Sequence, residues 1–294
     1  MRIIIWIVAI VLTLVVLYLV QQVIENKVAL AENKYSNEVL KSTSNYLINQ
    51  PDQTLFLSSK LKEVSGLSTA KVDSVILTIQ DEKGLIYHIN KSDGRILREE
   101  KFAGKGDYEG IERVGDTTYI VTSNGDIYCY SDAEDETQIH KTDLEVSQDI
   151  EGLGYSPELH ALLVACKGRK NGEEKHLRSI YAFDLATKKL SSQPLFVIDG
   201  KEIAEKLKRE KPTPYFSPSA IAMTRDGAYY ILSSVAKALI VVEKNGKCRS
   251  GVNLSGALHS QPEGILLDNN NTLYISNEGR DGVAKIYVYH PKAK

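Results

Sequence analysis

The stretch "QPEGILLDNNNTLYISNEG", residues 261–279, sets an acidic residue and a glycine before a short apolar run, then a polar turn and a second apolar run ending on Asn277 and Glu278. Two short apolar runs flanking an Asn-rich turn have the pattern of a β-hairpin. Parts of the phrase recur upstream, in "DYEGIERVGDTTYIVTSNG" at 107–125 and "DIEGLGYSPELHALLVACKG" at 149–168. Related openings stand at "LKEVSGL" (61–67) and "SPSAIAM" (217–223), so five units are visible. Aligned on Glu63, Glu109, Glu151, Ser219 and Glu263, they are separated by 46, 42, 68 and 44 residues. All but the third spacing match the length of a four-stranded propeller blade. The long one holds two insertions, "GRKNGEEKHLR" (168–178) and "DGKEIAEKLKREKPTPYF" (199–216), the second partly helical by its Ile203, Leu207 spacing.

Four strands are legible in each of the first four units; in the second they fall at about 109–113, 117–123, 126–131 and 137–143. The fifth unit runs out of chain after three. "QTLFLSS" at 53–59 precedes the first opening and belongs to no other unit, so it is expected to supply the missing strand. Such closure removes exposed sheet edges. The predicted fold is all-β, a five-bladed β-propeller over 52–294, with six blades as the alternative if an insertion conceals strands. A β-sandwich would not require openings that repeat in register.

The chain has 294 residues, 43% hydrophobic and 25% charged, with a formal net charge of -2. That composition excludes a disordered or fibrous chain and carries no basic footprint, so no nucleic-acid partner is expected. Cys129, Cys166 and Cys248 lie far apart in or beside apolar runs, which fits burial rather than a zinc site.

Residues 3–20, "IIIWIVAIVLTLVVLYLV", carry no charge and as a helix would rise roughly 27 Å. They are expected to form an N-terminal transmembrane helix, with 1–20 as membrane anchor. A cleaved signal peptide is the competing reading, because "ALA" at 29–31 resembles a cleavage site; it lies far beyond the apolar run. Arg2 places the N-terminus in the cytoplasm. Everything beyond the span is then periplasmic, in a single-pass inner-membrane protein. Residues 21–51 read as an amphipathic helical stalk ended by Pro51.

In a propeller the innermost strands converge on one axis. Glu63, Glu109, Glu151 and Glu263 are therefore expected in a ring at one mouth of the channel, with Ser219 in the fifth place. Second-strand ends add Asp81, Glu82, Asn124, Lys167, Ser234, Asn277 and Glu278 on the same face. Converging carboxylates repel unless a cation, a basic partner or water separates them, and calcium suits such oxygen donors. Alternatively each Glu binds backbone amides of the neighbouring blade. His259, four residues before Glu263, is the one candidate general base. No nucleophile elbow, phosphate loop or HExxH motif is present.

These openings, with "IQDEKGLIYHI", "FSPSAIAM" and one preceding apolar segment, resemble the SdiA-regulated family of bacterial envelope proteins (the YjiK type) over about residues 52–290. The resemblance implies a propeller related to NHL-type and phytase-like propellers, an envelope location and a calcium site in the channel. It supports Glu63, Glu109, Glu151 and Glu263 as the acidic positions, from which Ser219 departs. Three functions follow: binding of a small molecule or envelope protein at the glutamate face with calcium; a metal-dependent hydrolase of phosphate esters or lactones; and a structural role in the envelope.

Overall fold

A computed structural model describes residues 12–21, 40, 45–209, 215–280 and 282–292. The strands form five antiparallel sheets arranged as the blades of a propeller. Blade 1 holds β2 (Val64–Thr69), β3 (Val75–Gln80), β4 (Lys83–Asn90) and β5 (Ile96–Lys105). Blade 2 holds β6 (Tyr108–Val114), β7 (Thr117–Thr122), β8 (Ile127–Ser131) and β9 (Glu136–His140). Its strands reproduce the four expected from the sequence, with shifts of a few residues at the ends.

Blade 3 contains β10 (Ile150–Ser156), β11 (Ala161–Cys166) and β12 (Leu177–Asp184). Its outer place is shared by β13 (Lys189–Leu190) and β14 (Phe196–Asp199), both paired with β12. Blade 4 is β15 (Ala220–Met223), β16 (Tyr229–Ser233), β17 (Ala238–Val242) and β18 (Cys248–Asn253). Blade 5 is β19 (Pro262–Leu267), β20 (Leu273–Asn277) and β21 (Lys285–Tyr289), and its fourth strand is β1 (Gln53–Phe56), in the register Gln53↔Val288 to Phe56↔Lys285. The leftover N-terminal strand thus closes the ring, and the insertions conceal no sixth blade.

One apolar cluster fills each of the five interfaces between neighbouring blades. Middle strands are therefore covered on both faces: β3, β11, β16, β17 and β20 are buried along their whole length. Outer strands such as β5 and β9 carry Arg98, Glu99, Lys101 and Glu136 at exposed places, which discourages edge-to-edge pairing. Tyr119, Tyr229 and Tyr274 are buried in the blade interfaces, and all three cysteines are buried and free.

The two insertions meet. The second forms a helix, Gly200–Lys206, capped by the Asp199 side chain on Lys201 N at 2.8 Å, and it buries Ile203 and Leu207 between blades 3 and 4. Gly200 N donates to His176 O of the first insertion at 2.8 Å.

Of the expected helical stalk 21–51, residues 40 and 45–51 are not helical but bridge and pack on the propeller: Leu40, Tyr46 and Ile48 join the cluster between blades 4 and 5. Tyr46 donates its hydroxyl to Asn271 O at 2.7 Å. Of the expected membrane helix 3–20, residues 3–11 lie outside the described residues; residues 12–21 are helical and exposed. Among the described residues no helix is long and apolar enough to cross a membrane.

Candidate functional site

Each inner strand begins at the same mouth of the channel, and four of them carry a β-bulge there, at Ser65/Leu67, Tyr108/Gly110, Ile150/Gly152 and Pro262/Gly264. In blades 2, 3 and 5 the residue inserted by the bulge is the glutamate itself: Glu109, Glu151 or Glu263. A bulge re-aims a side chain out of the pleat. The following glycine has a steric cause, since a Cβ on Gly110 would stand 2.9 Å from Leu153 N of the next blade.

In blade 1 the bulge inserts Gly66, and a backbone bond at the strand starts corrects the alignment. A backbone bond recurs in four blades: Asp81 N to Glu63 O (3.4 Å), Ser123 N to Asp107 O (3.0 Å), Lys167 N to Asp149 O (2.7 Å) and Glu278 N to Gln261 O (3.0 Å). Glu63 is therefore equivalent to Asp107, Asp149 and Gln261, two residues before the ring. Buried Ser65 takes the ring position beside Gly66. The inner tier is Ser65, Glu109, Glu151, Ser219 and Glu263; exposed Glu63 belongs to an outer acidic tier with Asp107 and Asp149. The motif is polar–x–Glu/Ser–Gly/Ala–apolar, with an acid at the first position in blades 1 to 3, and aligning on the small residue rather than on the first glutamate finds it.

The inner tier is electrostatically crowded. Burial, reinforced by Glu151, Asp107 and Glu263, pushes the Glu109 carboxyl up to about 9. Burial with the charges of Glu151 and Glu278 holds Glu263 well above the usual range. Glu151 is pushed up to about 7 by burial, against the pull of Lys167, whose Nζ donates to its Oε1. Oε2 of Glu151 is buried without a partner among the described residues. Burial works against the Lys167 ammonium, but Glu151 outweighs it and raises its pKa. Arg178 Nε, from the first insertion, bonds Lys167 O and Ser217 Oγ, tying the lysine's strand end to blade 4.

Around this tier, Asp81 is pushed up to about 6 by burial and then Glu63, and Glu278 is raised by burial, Asp81 and Glu63. Lys237, which sequence reasoning missed, donates to Ser260 O; burial and Arg280 lower its pKa. Its signal was weak because it follows a second-strand end by a turn, outside any repeated phrase.

Other expected positions are committed to structure. Ser219 Oγ donates to Pro262 O at 2.9 Å and accepts from Ser234 N at 3.2 Å, stitching blade 4 to blade 5. Asn124 Oδ1 accepts from Thr122 Oγ1 (2.6 Å) and Asp126 N (3.1 Å) within its hairpin, and Glu82 is an exposed turn residue. His259 is fully buried: Nε2 lies 3.2 Å from Ile48 O and 3.0 Å from the Tyr289 hydroxyl, and Nδ1 3.4 Å from Asn277 Nδ2. Since a carbonyl only accepts, Nε2 carries the proton and Nδ1 receives the amide. Burial depresses its pKa to about 4, so the ring is neutral and serves packing of the N-terminal segment rather than proton transfer at the mouth.

The calcium expectation meets a poor fit. Among the described residues no three of His, Cys, Asp and Glu come together as a metal-binding group, and Lys167 places an ammonium among the glutamates. What the mouth does offer is a two-tier set of oxygen acceptors around Lys167, with Lys237 and Arg280 beside Glu263 and Glu278.

Solved structures similar to this chain share its fold. Glutaminyl cyclase of Myxococcus xanthus is 11% identical with a TM-score of 0.55, over 82% of this chain and 95% of that one. A luciferin-regenerating enzyme is 12% identical with a TM-score of 0.51, again over 82% and 95%. No curated protein matches the sequence. The profile of SdiA-regulated proteins matches residues 53–280, from the closing strand β1 through the inner hairpin of blade 5, and the chain belongs to the SdiA-regulated family.

Proposed function

We propose that the chain is a binding protein that receives, at its acidic mouth, a ligand or partner segment bearing amino or guanidino groups. The observation that carries this reading is the state of Glu109 and Glu263. Burial and neighbouring carboxylates push both above the usual carboxylate range, against the pull of Lys167 on each and of a Ser234 hydrogen bond on Glu263. A bound cation restores their charged form and is itself desolvated against several acceptors. The outer tier of Glu63, Asp107 and Asp149 steers such a ligand inward. In the envelope setting expected from residues 3–20, the propeller stands outside the cytoplasm and presents this mouth to periplasmic molecules or proteins.

The test is calorimetric titration of the chain with spermidine, arginine and calcium, in buffers of different ionisation enthalpy. Binding of a cation to Glu109 and Glu263 releases protons, so the apparent enthalpy changes with buffer. In a Glu109→Gln, Glu263→Gln double variant both binding and proton release are lost. Silence toward all three cations sinks the reading; binding of calcium alone replaces it with the metal site.

A further inference from the structure

The channel has a second mouth, where the inner strands end. A cavity of about 500 Å³ lies there, and every blade contributes to its wall. That volume falls within the range of small-molecule sites. Its apolar wall comes from Leu67 of blade 1, Ala222 of blade 4, and Ile265 and Leu267 of blade 5.

Most charges at this mouth are already matched. Asp268 is held by Lys91 at 3.2 Å and by the Tyr274 hydroxyl at 3.2 Å, and Glu158 is paired with Lys244. Arg113 faces Asp116 at 3.4 Å. Two lining groups of opposite sign are not matched among the described residues. Glu112 uses only Oε1, which accepts from Ser68 Oγ (3.0 Å) and Arg113 N (3.2 Å). The Arg225 guanidinium is exposed and has no ion-pair partner among the described residues.

We infer that this cavity binds a compact zwitterion with an apolar body, an apolar amino acid or dipeptide, its carboxylate on Arg225 and its ammonium on Glu112. A guanidinium is suited to bidentate contact with a carboxylate. The free oxygen of Glu112 lies in a sheltered place, where a charged nitrogen is a strong partner. Apolar side chains of the ligand replace water against Leu67 and Ile265. This site is separate from the acidic mouth, and its ligand differs from the cations proposed there.

The probe is the dipeptide Phe-Leu, compared with N-acetyl-Phe-Leu, which lacks the ammonium, and Phe-Leu amide, which lacks the carboxylate. Backbone NMR shifts of the full chain locate the binding. The expected result is saturable shifts at residues 222–225 and 265–268, with each blocked peptide binding at least ~10-fold more weakly, about the worth of one charged hydrogen bond. Glu112→Gln abolishes the preference over the acetylated peptide, and Arg225→Ala abolishes the preference over the amide. Neither variant lowers Tm, since Gln keeps the Oε1 bonds without a buried charge and Arg225 is exposed. Equal binding of all three peptides, shifts centred on Glu109, or preferences unmoved by either variant overturn the inference.

Discussion

Lys167 donates from Nζ to Oε1 of Glu151, while Oε2 of the same carboxylate is buried without a partner among the described residues. The ammonium also pulls down the pKa of Glu109 and of Glu263. One cation thus serves three carboxyls from three blades, and those blades meet at a place their backbones bring together through bulges. A mouth built this way is short of positive charge, which is why a cationic ligand completes it.

Removing that cation is the first test. Lys167→Met is expected to destabilise the protein by on the order of 1–3 kcal/mol at pH 8, because Glu151 then loses its partner in a sheltered place. At pH 5, below its folded value of about 7, Glu151 is already protonated and the loss shrinks. Urea unfolding at the two pH values measures the difference; an equal loss at both would mean that Lys167 acts through its packing alone.

Glu109→Gln has the opposite sign. Burial and neighbouring carboxylates push the Glu109 carboxyl up to about 9 in the folded chain against 4.5 for a free glutamate, so the folded state holds the proton more tightly. Stability from this group is complete below about 4.5 and is lost as pH rises toward 9. The variant is therefore expected to be neutral at pH 4.5 and stabilising by on the order of 1–2 kcal/mol at pH 8. Destabilisation at pH 8 would show that Glu109 is held as a satisfied carboxylate.

The register of blade 1 can be tested by placing a fourth acid. Ser65→Glu puts a carboxyl at the ring position that Glu109, Glu151 and Glu263 occupy in other blades. It is expected to lower Tm more at pH 8 than at pH 5, by repulsion. Glu63→Gln, in the exposed outer tier, is expected to change stability by less than ~0.5 kcal/mol. The reverse pattern in differential scanning calorimetry would restore Glu63 to the ring.

The blade number and the closing strand were legible because repetition at nearly constant spacing is read without knowing any contact. "QTLFLSS" was assignable by elimination, being a strand with no blade of its own. The ring was legible only in part. Glu109, Glu151 and Glu263 share their phrase with the following glycine, whereas Glu63 drew the eye by its charge and Ser65 by nothing. Bulge position and charge sharing through Lys167 are three-dimensional facts with no fixed spacing in the chain. His259 misled for a related reason: nearness in sequence to Glu263 did not reveal that its ring turns toward Ile48, more than two hundred residues away.

Closure by β1 predicts a cost out of proportion to its four residues. Leu55 is 1% exposed in the cluster between blades 5 and 1, and Leu55→Ala is expected to cost about 2–4 kcal/mol. Deleting residues 1–57 removes the whole strand and leaves β21 as an unpaired apolar edge. Light scattering is expected to show association of the truncated chain but not of Leu55→Ala. A monomeric truncation of wild-type stability would remove the closure from the account of the fold.

His259 sets the acid limit. Burial depresses its folded pKa to about 4, below the ordinary 6.5 of a histidine, so the unfolded chain takes up its proton first as pH falls. Stability from this ring is complete above about 6.5 and is lost as pH drops toward 4, at about 1.4 kcal/mol per pH unit. His259→Gln is expected to cost on the order of 1–3 kcal/mol at pH 7.5, since Ile48 O and the Asn277 amide lose well-placed partners. The same variant has a shallower decline between pH 6.5 and 4, so the two stability curves converge in acid. Parallel curves from guanidinium unfolding would mean that His259 is charged in the folded protein, and the neutral, Nε2-protonated ring between Ile48, Tyr289 and Asn277 would have to be abandoned.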